Sequence, residues 1–394
     1  MGASGPRLRR ALVVGGSLGG LSAANWLRDA GFAVEVLERS SHLLEDRGVG
    51  IVLHRSTVRY LLECRGVDLD SMSLRVSRLR YLDRAGGVVA DAAIRLRFAA
   101  YGALYRELLA AFGTEHYHLG HEVVSVRDRG ELAEVVLADG TTRSAELVVC
   151  ADGIRSGARR ALLPEVQASF AGYVAWRGVA PLTALGPAAA GLLGDAITYT
   201  IMDRSHLLTY PIASGEGRLV NWVWYHNVET AAELEALLTD AEGRVHDLTL
   251  PAGFAPAERV AALRARARGV LHDVVVETIE KTSEPFVQVV LDVEPSRLAF
   301  GRICLLGDAG FVARPHAAAG TAKACEDAWH LAAALVKQED VPAALAAWEP
   351  AALELGANLV RRSREAGIRS QFDGTWQVGD PLPFGLYEVG DSEL

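Results

Sequence analysis

Several residue groups in this 394-residue chain have the types and spacing to do chemistry. Gly15-Gly16-Ser17-Leu18-Gly19-Gly20 follows the apolar run Ala11 to Val14 and precedes Leu21, Ala24 and Leu27 at helical spacing, so it reads as strand, tight turn and helix. Such a turn offers bare backbone N–H groups at a helix N-terminus, where about half a unit of positive dipole charge meets a phosphate and no Cβ obstructs it. Gly15, Gly20 and Leu18 belong to this turn, and Ser17 stands where the dinucleotide fingerprint has its middle glycine; its hydroxyl can itself bond a phosphate. Glu38 closes the strand Ala33 to Leu37, 23 residues past Gly15, where dinucleotide folds hold a carboxylate for the adenosine ribose. Arg39 follows it.

Two further carboxylates sit at strand ends. Asp152-Gly153 follows Leu147 to Ala151, and Gly307-Asp308 follows Ile303 to Leu306. A carboxylate there, next to glycine or another small residue, suits a ligand hydroxyl better than a core. Three side chains are candidates for proton chemistry. His54, after "GVGIVL", is a base or substrate partner, or else a satisfied histidine at a strand end. Tyr210, before Pro211, donates from a strand or fills the core. His316, beside Pro315, touches a ligand or caps the helix that runs through Ala324, Ala328 and Leu331.

With both aspartates in place, the chain resembles the group A flavoprotein monooxygenases, the para-hydroxybenzoate hydroxylase fold, across nearly its whole length. The matching marks are the N-terminal glycine turn, Ala151-Asp152-Gly153, and Gly307-Asp308 with Pro315. The resemblance implies FAD as cofactor, NAD(P)H as co-substrate and a small electron-rich aromatic ring, of phenol or hydroxypyridine type, attacking a flavin C4a-hydroperoxide formed with O2. It implies that Asp308 binds the ribityl chain and that Pro315 to Thr321 line the isoalloxazine, with Ala318, Ala319, Gly320 and Thr321 turning N–H groups toward its N1–C2=O edge. It also puts Arg106, in R-x-x-L with Leu109, near the phosphates or ribityl chain, and Gly50, Val124 and Gly153 against the cofactor. After Gly307-Asp308-Ala309 most members carry alanine and histidine, whereas here Gly310 and Phe311 follow and the histidine comes later. "RPHAAAGTAKA", with "GYVAWRG" at 172–178 and "SEPFVQVV" at 283–290, is similar to the dihydroxypyridine hydroxylase subfamily.

These residues need a scaffold. Residues 1–75, 98–170 and 296–370 alternate strand and helix patterns, predicting an α/β, Rossmann-like FAD-binding domain with helices on both faces of a parallel sheet. Residues 171–295 are rich in aromatic and β-branched stretches of strand length, with a turn at 213–218, predicting an inserted, mainly antiparallel β substrate domain. A hairpin at 76–97 joins that sheet, a helix near 258–275 covers it, and the tail 371–394 packs as a loop over the junction. "NWVWYHNV" resembles the W-x-W-x-I-P motif of flavin-dependent halogenases, but His226 and Asn227 replace its isoleucine and proline. Trp222 and Trp224 share one strand face, toward the covering helix or the ligand. His116, His118 and His121 have near-metal spacing but no thiol or carboxylate completes a set, so no metal is expected. "RARARG" at 264–269 reads as a solvated helix face.

Composition agrees. Half the residues are hydrophobic and the net charge is −9, which supports roughly two domains with large cores and argues against nucleic acid. Cys64, Cys150, Cys304 and Cys325 show no C-x-x-C spacing and read as reduced thiols. No apolar run approaches the roughly 18 residues of a spanning helix, and "GPRLRR" lacks a signal-peptide core. The expectation is a cytoplasmic, non-membrane enzyme, monomer or homodimer. Other reactions open to the fold are epoxidation or Baeyer–Villiger tailoring of a larger product, which needs a wider pocket, and flavin-dependent reduction.

Overall fold

The computed structural model describes residues 9–45, 50–214, 217–392 and 394. Residues 5–8 of the basic N-terminal stretch, Gly48-Val49 before His54, and Gly215-Glu216 of the 213–218 turn lie outside the described residues.

The strand Arg9–Val14 lies inside a six-stranded sheet, flanked by parallel strands Phe32–Leu37 and Leu147–Cys150. Ile303–Leu305 extends the sheet in parallel beyond Leu147–Cys150, and Tyr117–His118 closes the opposite edge. Ala11 to Val14 and Leu147 to Cys150 are buried throughout, as unbroken apolar strands covered on both faces must be. Helices Leu18–Asp29, Gly320–Lys337 and Val341–Ile368 contribute to the same core. The first helix therefore leaves the glycine turn at a fixed angle, and the long C-terminal helices bring Gly307-Asp308 alongside it.

The second sheet has nine strands, mainly antiparallel. Ser169–Pro181 pairs with Gly217–Asn227 on one side and Phe286–Asp292 on the other, and Ser205–Ser214 and Ala196–Met202 continue the sheet. The hairpin reaches beyond its predicted bounds: Ser73–Leu82 pairs with Val88–Ala100, and Gly50–Val52 adds an outer strand. Residues 123–145 form a separate three-stranded antiparallel sheet.

Strand alternation gives the large sheet two different faces. Val174, Trp176, Leu207, Trp222 and Trp224 pack with Leu193, Leu263 and Val275 of covering helices. Tyr173, Ala175, Tyr199, Tyr210, Val223 and Tyr225 look the other way, toward Trp376 and Phe384 of the tail. The tryptophan pair thus belongs to the helix-covered face. Trp222 Nε1 donates to Thr282 Oγ1 at 2.8 Å, and Trp224 Nε1 to Ser205 Oγ at 3.2 Å. The expected single covering helix near 258–275 is two, Ala257–Val270 and Asp273–Glu280, because Leu271 is extended and His272 caps the second by accepting from Val274 N. The "RARARG" face is not simply solvated: Arg264 donates to Thr282 O at 2.9 Å and Arg268 pairs with Glu280.

Among the described residues no helix is long and apolar enough to cross a membrane, and no three His, Cys, Asp or Glu side chains form a metal set. The four cysteines are free, with only Cys64 exposed.

Candidate active site

A cavity of about 1010 Å³ runs along the seam between the two sheets. Its nucleotide end is built by the glycine turn. Gly15 holds φ +97°, and a Cβ on Gly20 would stand 1.9 Å from Gly15 O, so the turn closes only without side chains there. Ser17, Leu18 and Arg39 line the cavity. The Ser17 hydroxyl lies 2.7 Å from the Tyr101 hydroxyl instead of capping its own helix. Glu38 is buried behind the turn, where its two oxygens accept Gly16 N and Ser40 N, each at 2.8 Å.

Asp152 and Asp308 stand at adjacent strand ends. Asp152 Oδ2 accepts Gly157 N at 2.8 Å, while buried Oδ1 has no partner. Gly153 and Asp308 both line the cavity. Asp308 opens onto the cavity although protein surrounds it, and this desolvation raises its pKa against the opposing charges of Lys323 and Arg159. Arg159 ties the two turns together, donating to Ile154 O, Asp308 O and Ala309 O at 2.6, 3.0 and 3.0 Å. A buried pair, Lys323 Nζ to Asp327 Oδ2 at 2.6 Å, braces Gly307 N from below.

The segment Pro315 to Gly320 crosses the middle of the cavity. Pro315–Ala317 is a 3₁₀ turn, Ala318 is left-handed at φ 52°, and the α-helix starts at Gly320, so the unpaired N–H groups of its first turn face the space lined by Ala318, Ala319, Gly320 and Thr321. A glycine turn, the Asp308 carboxyl and a helix N-terminus on one cavity fit a dinucleotide that carries a flavin.

His54 is elsewhere than expected. It does not line the cavity: it is 2% exposed, caps the Arg55–Arg65 helix, and its Nε2 donates to Ala318 O at 2.9 Å. That bond holds the left-handed residue, and burial lowers the imidazole pKa. Being locked behind the segment, His54 positions backbone rather than meeting a substrate. Arg106 is also displaced, on the exposed side of its helix 3.5 Å from Glu45, and Val124 is 58% exposed on the three-stranded sheet. Neither lines the cavity, nor do Gly15, Gly20, Glu38 and Asp152, which stand one layer behind it.

The ring end is aromatic. Tyr199, His206, Tyr210, Tyr225, His316 and Trp376 line it. His206 lies 4.6 Å from Tyr225, 4.8 Å from Trp376 and 5.5 Å from His316, between ring centroids. Tyr210 stacks on Phe98 and donates to Gly50 O at 3.0 Å, which draws Gly50 against the same wall. His316 Nε2 lies 2.7 Å from the Tyr173 hydroxyl. Burial pushes that hydroxyl's pKa up, so the phenol keeps its proton; in the tautomer with Nε2–H the imidazole donates to the phenol oxygen and Nδ1 is left as the acceptor. Gly367 makes room for the pair, since a Cβ there would meet the Tyr173 oxygen at 2.4 Å. Desolvation drives the His316 pKa down to about 3 and that of His206 well below its usual value. Both rings are neutral near pH 7.

His206, Tyr173, Arg177 and Trp376 escaped the sequence reading. His206 had a usable signal, since it stands four residues before Tyr210 on one strand and so shares its face. Trp376 had none, because nothing local says where a tail will dock.

A family model described as FAD binding domain-like matches residues 170–292. The chain is 36% identical to 2,6-dihydroxypyridine 3-monooxygenase of Paenarthrobacter nicotinovorans, across 99% of this chain and 98% of that one. It is 28% identical to 6-hydroxynicotinate 3-monooxygenase of Pseudomonas fluorescens, across 94% of each. The solved 2,6-dihydroxypyridine-3-hydroxylase from Arthrobacter nicotinovorans superposes with a TM-score of 0.92 at 35% identity, covering 98% of both chains. A Klebsiella pneumoniae protein complexed with FAD and uric acid superposes with a TM-score of 0.76 at 25% identity, over 92% of this chain and 89% of that one. Sequence, fold and cavity agree that this chain belongs to the FAD-dependent aromatic monooxygenases of the para-hydroxybenzoate hydroxylase fold, which hydroxylate a ring with NAD(P)H and O2.

Proposed function

We propose that the enzyme hydroxylates a single small hydroxypyridine or closely related phenol, with 2,6-dihydroxypyridine the first ring to try. The observation that carries this reading is the aromatic box of Tyr199, His206, Tyr225, His316 and Trp376 at one end of the cavity. Its walls suit stacking on one flat ring, and its neutral imidazoles suit ring hydroxyls and a ring nitrogen. The full-length similarity to a dihydroxypyridine monooxygenase supports the same choice.

FAD, when bound, supplies the activation of O2 with electrons taken from NAD(P)H. The protein's own residues then have three tasks. Ser17, Leu18, Arg39 and the glycine turn hold the phosphates and adenosine side, with Glu38 and Asp152 bracing from behind. Asp308 and the N–H groups from Ala318 to Thr321 hold the middle and offer positive dipole to charge on the flavin ring. At the ring end, His316 accepts a hydrogen bond from a substrate hydroxyl and draws its proton while Tyr173 fixes the imidazole's orientation. A value of about 3 makes His316 a weak base in the empty pocket. An oxyanion forming beside it stabilises the imidazolium and raises that value as the proton moves. Trp376 and Phe384 of the tail exclude water from this end.

The test is steady-state NADH and NADPH oxidation with a panel of hydroxypyridines and phenols, with product identified for each. One or more small hydroxylated rings that stimulate oxidation and are recovered with an added oxygen support the reading. Stimulation by large polycyclic substrates alone overturns it.

A further inference from the structure

The arginines that line the cavity are not equivalent. Arg155, Arg314 and Arg369 each hold a carboxylate, of Asp247, Asp292 and Asp380. Arg39 lies at the nucleotide end. Arg177 alone stands on the aromatic face of the large sheet, and among the described residues no carboxylate pairs with it. Its Nη1 donates to Gln288 Oε1 at 2.8 Å, while its Nε is buried without a partner. Burial raises the Tyr210 hydroxyl's pKa, and the Arg177 cation next to it opposes the shift.

Arg177 is half-buried on the cavity wall with its Nε shielded, and a guanidinium in such a place without a counter-ion is left with a charge that a neutral amide satisfies only in part. Among the described residues lining this end, none supplies the missing negative charge: they are tyrosines, apolar side chains, the amide of Gln288 and neutral histidines. The strand that carries it, Ser169–Pro181, is paired on both sides, so the guanidinium is held in place before any ligand arrives. The charge must come with the ligand.

Resting on the ring-hydroxylase reading above, we propose that Arg177, oriented by Gln288, is the oxyanion receptor of the ring site. It binds the deprotonated oxygen of a monoanionic hydroxy-aromatic ring and so selects that charge state. The ring releases this proton to solvent before it binds, and a second hydroxyl is left for the His206 and His316 side. An oxyanion on the ring also increases its electron density, which electrophilic hydroxylation requires. Arg177 therefore selects the reactive form of the substrate as well as its shape.

The experiment titrates the oxidised holoenzyme, without NAD(P)H, with 2,6-dihydroxypyridine and with 2,6-dimethoxypyridine, following the flavin absorption. FAD content and thermal unfolding are recorded for each variant. Wild type binds the hydroxylated ring more tightly than its methyl ether. Arg177→Met loses about 10- to 100-fold in affinity for the hydroxylated ring, the usual scale for a charged hydrogen bond, and leaves the ether unchanged. Arg177→Lys, which keeps the charge should the methionine variant fold poorly, restores part of the preference, and Gln288→Leu gives a smaller loss than Arg177→Met. Equal weakening of both rings, an intact preference in Arg177→Met, or loss of FAD with the preference intact overturns the assignment alone. A wild-type flavin that responds to neither ring overturns the hydroxypyridine reading and the assignment with it.

Discussion

At the nucleotide end of the cavity, the groups that face a ligand are backbone amides and the strand-end carboxylate of Asp308, beside a turn that a Cβ at Gly20 would block. At the ring end they are side chains on neighbouring strands, with Trp376 from the tail and His316 from the cavity-crossing segment. The first kind of site depends on main-chain geometry and tolerates few side-chain changes. The second depends on which neutral and charged groups are brought together, and single side chains there decide what is bound and how it reacts. Substitutions at the two ends should therefore separate cofactor retention from ring chemistry.

The largest effect is expected at the ring end. His316→Ala removes the acceptor held by Tyr173, and kcat for a hydroxylated ring falls by about 100-fold or more, the usual scale of a lost proton acceptor, while FAD stays bound. Stopped-flow and steady-state rates at saturating ring check this; a variant that loses FAD in proportion to activity would merge the two ends.

Gly20→Ala is the converse. Overpacking against Gly15 O costs about 1–3 kcal/mol, so FAD affinity drops by about 10- to 100-fold, read from flavin release during dialysis. Saturating FAD restores the ring preference. Unchanged retention of flavin would mean that the turn does not hold it.

Stability should respond to pH through the large sheet. His226 and His316 are pushed down to about 3, and His206 well below its usual value, by burial. Each has a folded pKa below its unfolded value of about 6.5, so the unfolded chain binds more protons as pH falls. Their neutral-state stability is complete above about 6.5 and is lost downward toward 3, at about 1.4 kcal/mol per histidine for each pH unit below 6.5. His226→Leu, remote from the proposed chemistry, reduces the slope of unfolding free energy between pH 6.5 and 5 by one proton's worth. An unaltered slope in denaturant titrations would show that His226 charges in the folded state.

The smallest effect concerns Ala318, which sits at φ 52° with its carbonyl held by His54. Ala318→Gly removes about 1 kcal/mol of left-handed strain and loses a similar amount through the freer unfolded chain. Stability should change by under about 1 kcal/mol, whereas His54→Ala destabilises the segment and weakens FAD. Equal behaviour of the two variants in urea titrations and flavin release would contradict a positioning role for His54.

What was legible in the sequence follows the same division. Gly15 to Gly20, Glu38, Asp152 and Asp308 announce themselves because a backbone-built phosphate site fixes residue types at fixed spacing. The alternation of residues 171–295 gives a sheet but not which face meets the ligand; that is set by the covering helices, which take Trp222 and Trp224 and leave Tyr199, His206 and Tyr225 for the cavity. His54 misled because a strand-end histidine looks the same whether it points into a cavity or behind a loop. The break at Leu271-His272 was hidden because Gly269, the breaker beside it, lies inside the first helix, and the break itself carries only a side-chain cap.

The central claim is that this cavity joins one oxygen atom to a small hydroxylated ring. Turnover of 2,6-dihydroxypyridine with NAD(P)H under ¹⁸O2, followed by mass spectrometry of the product, tests it most directly. The account predicts one labelled oxygen in the ring product and loss of that product in His316→Ala with FAD retained. A label found only in hydrogen peroxide, with every small ring recovered unchanged, would contradict it.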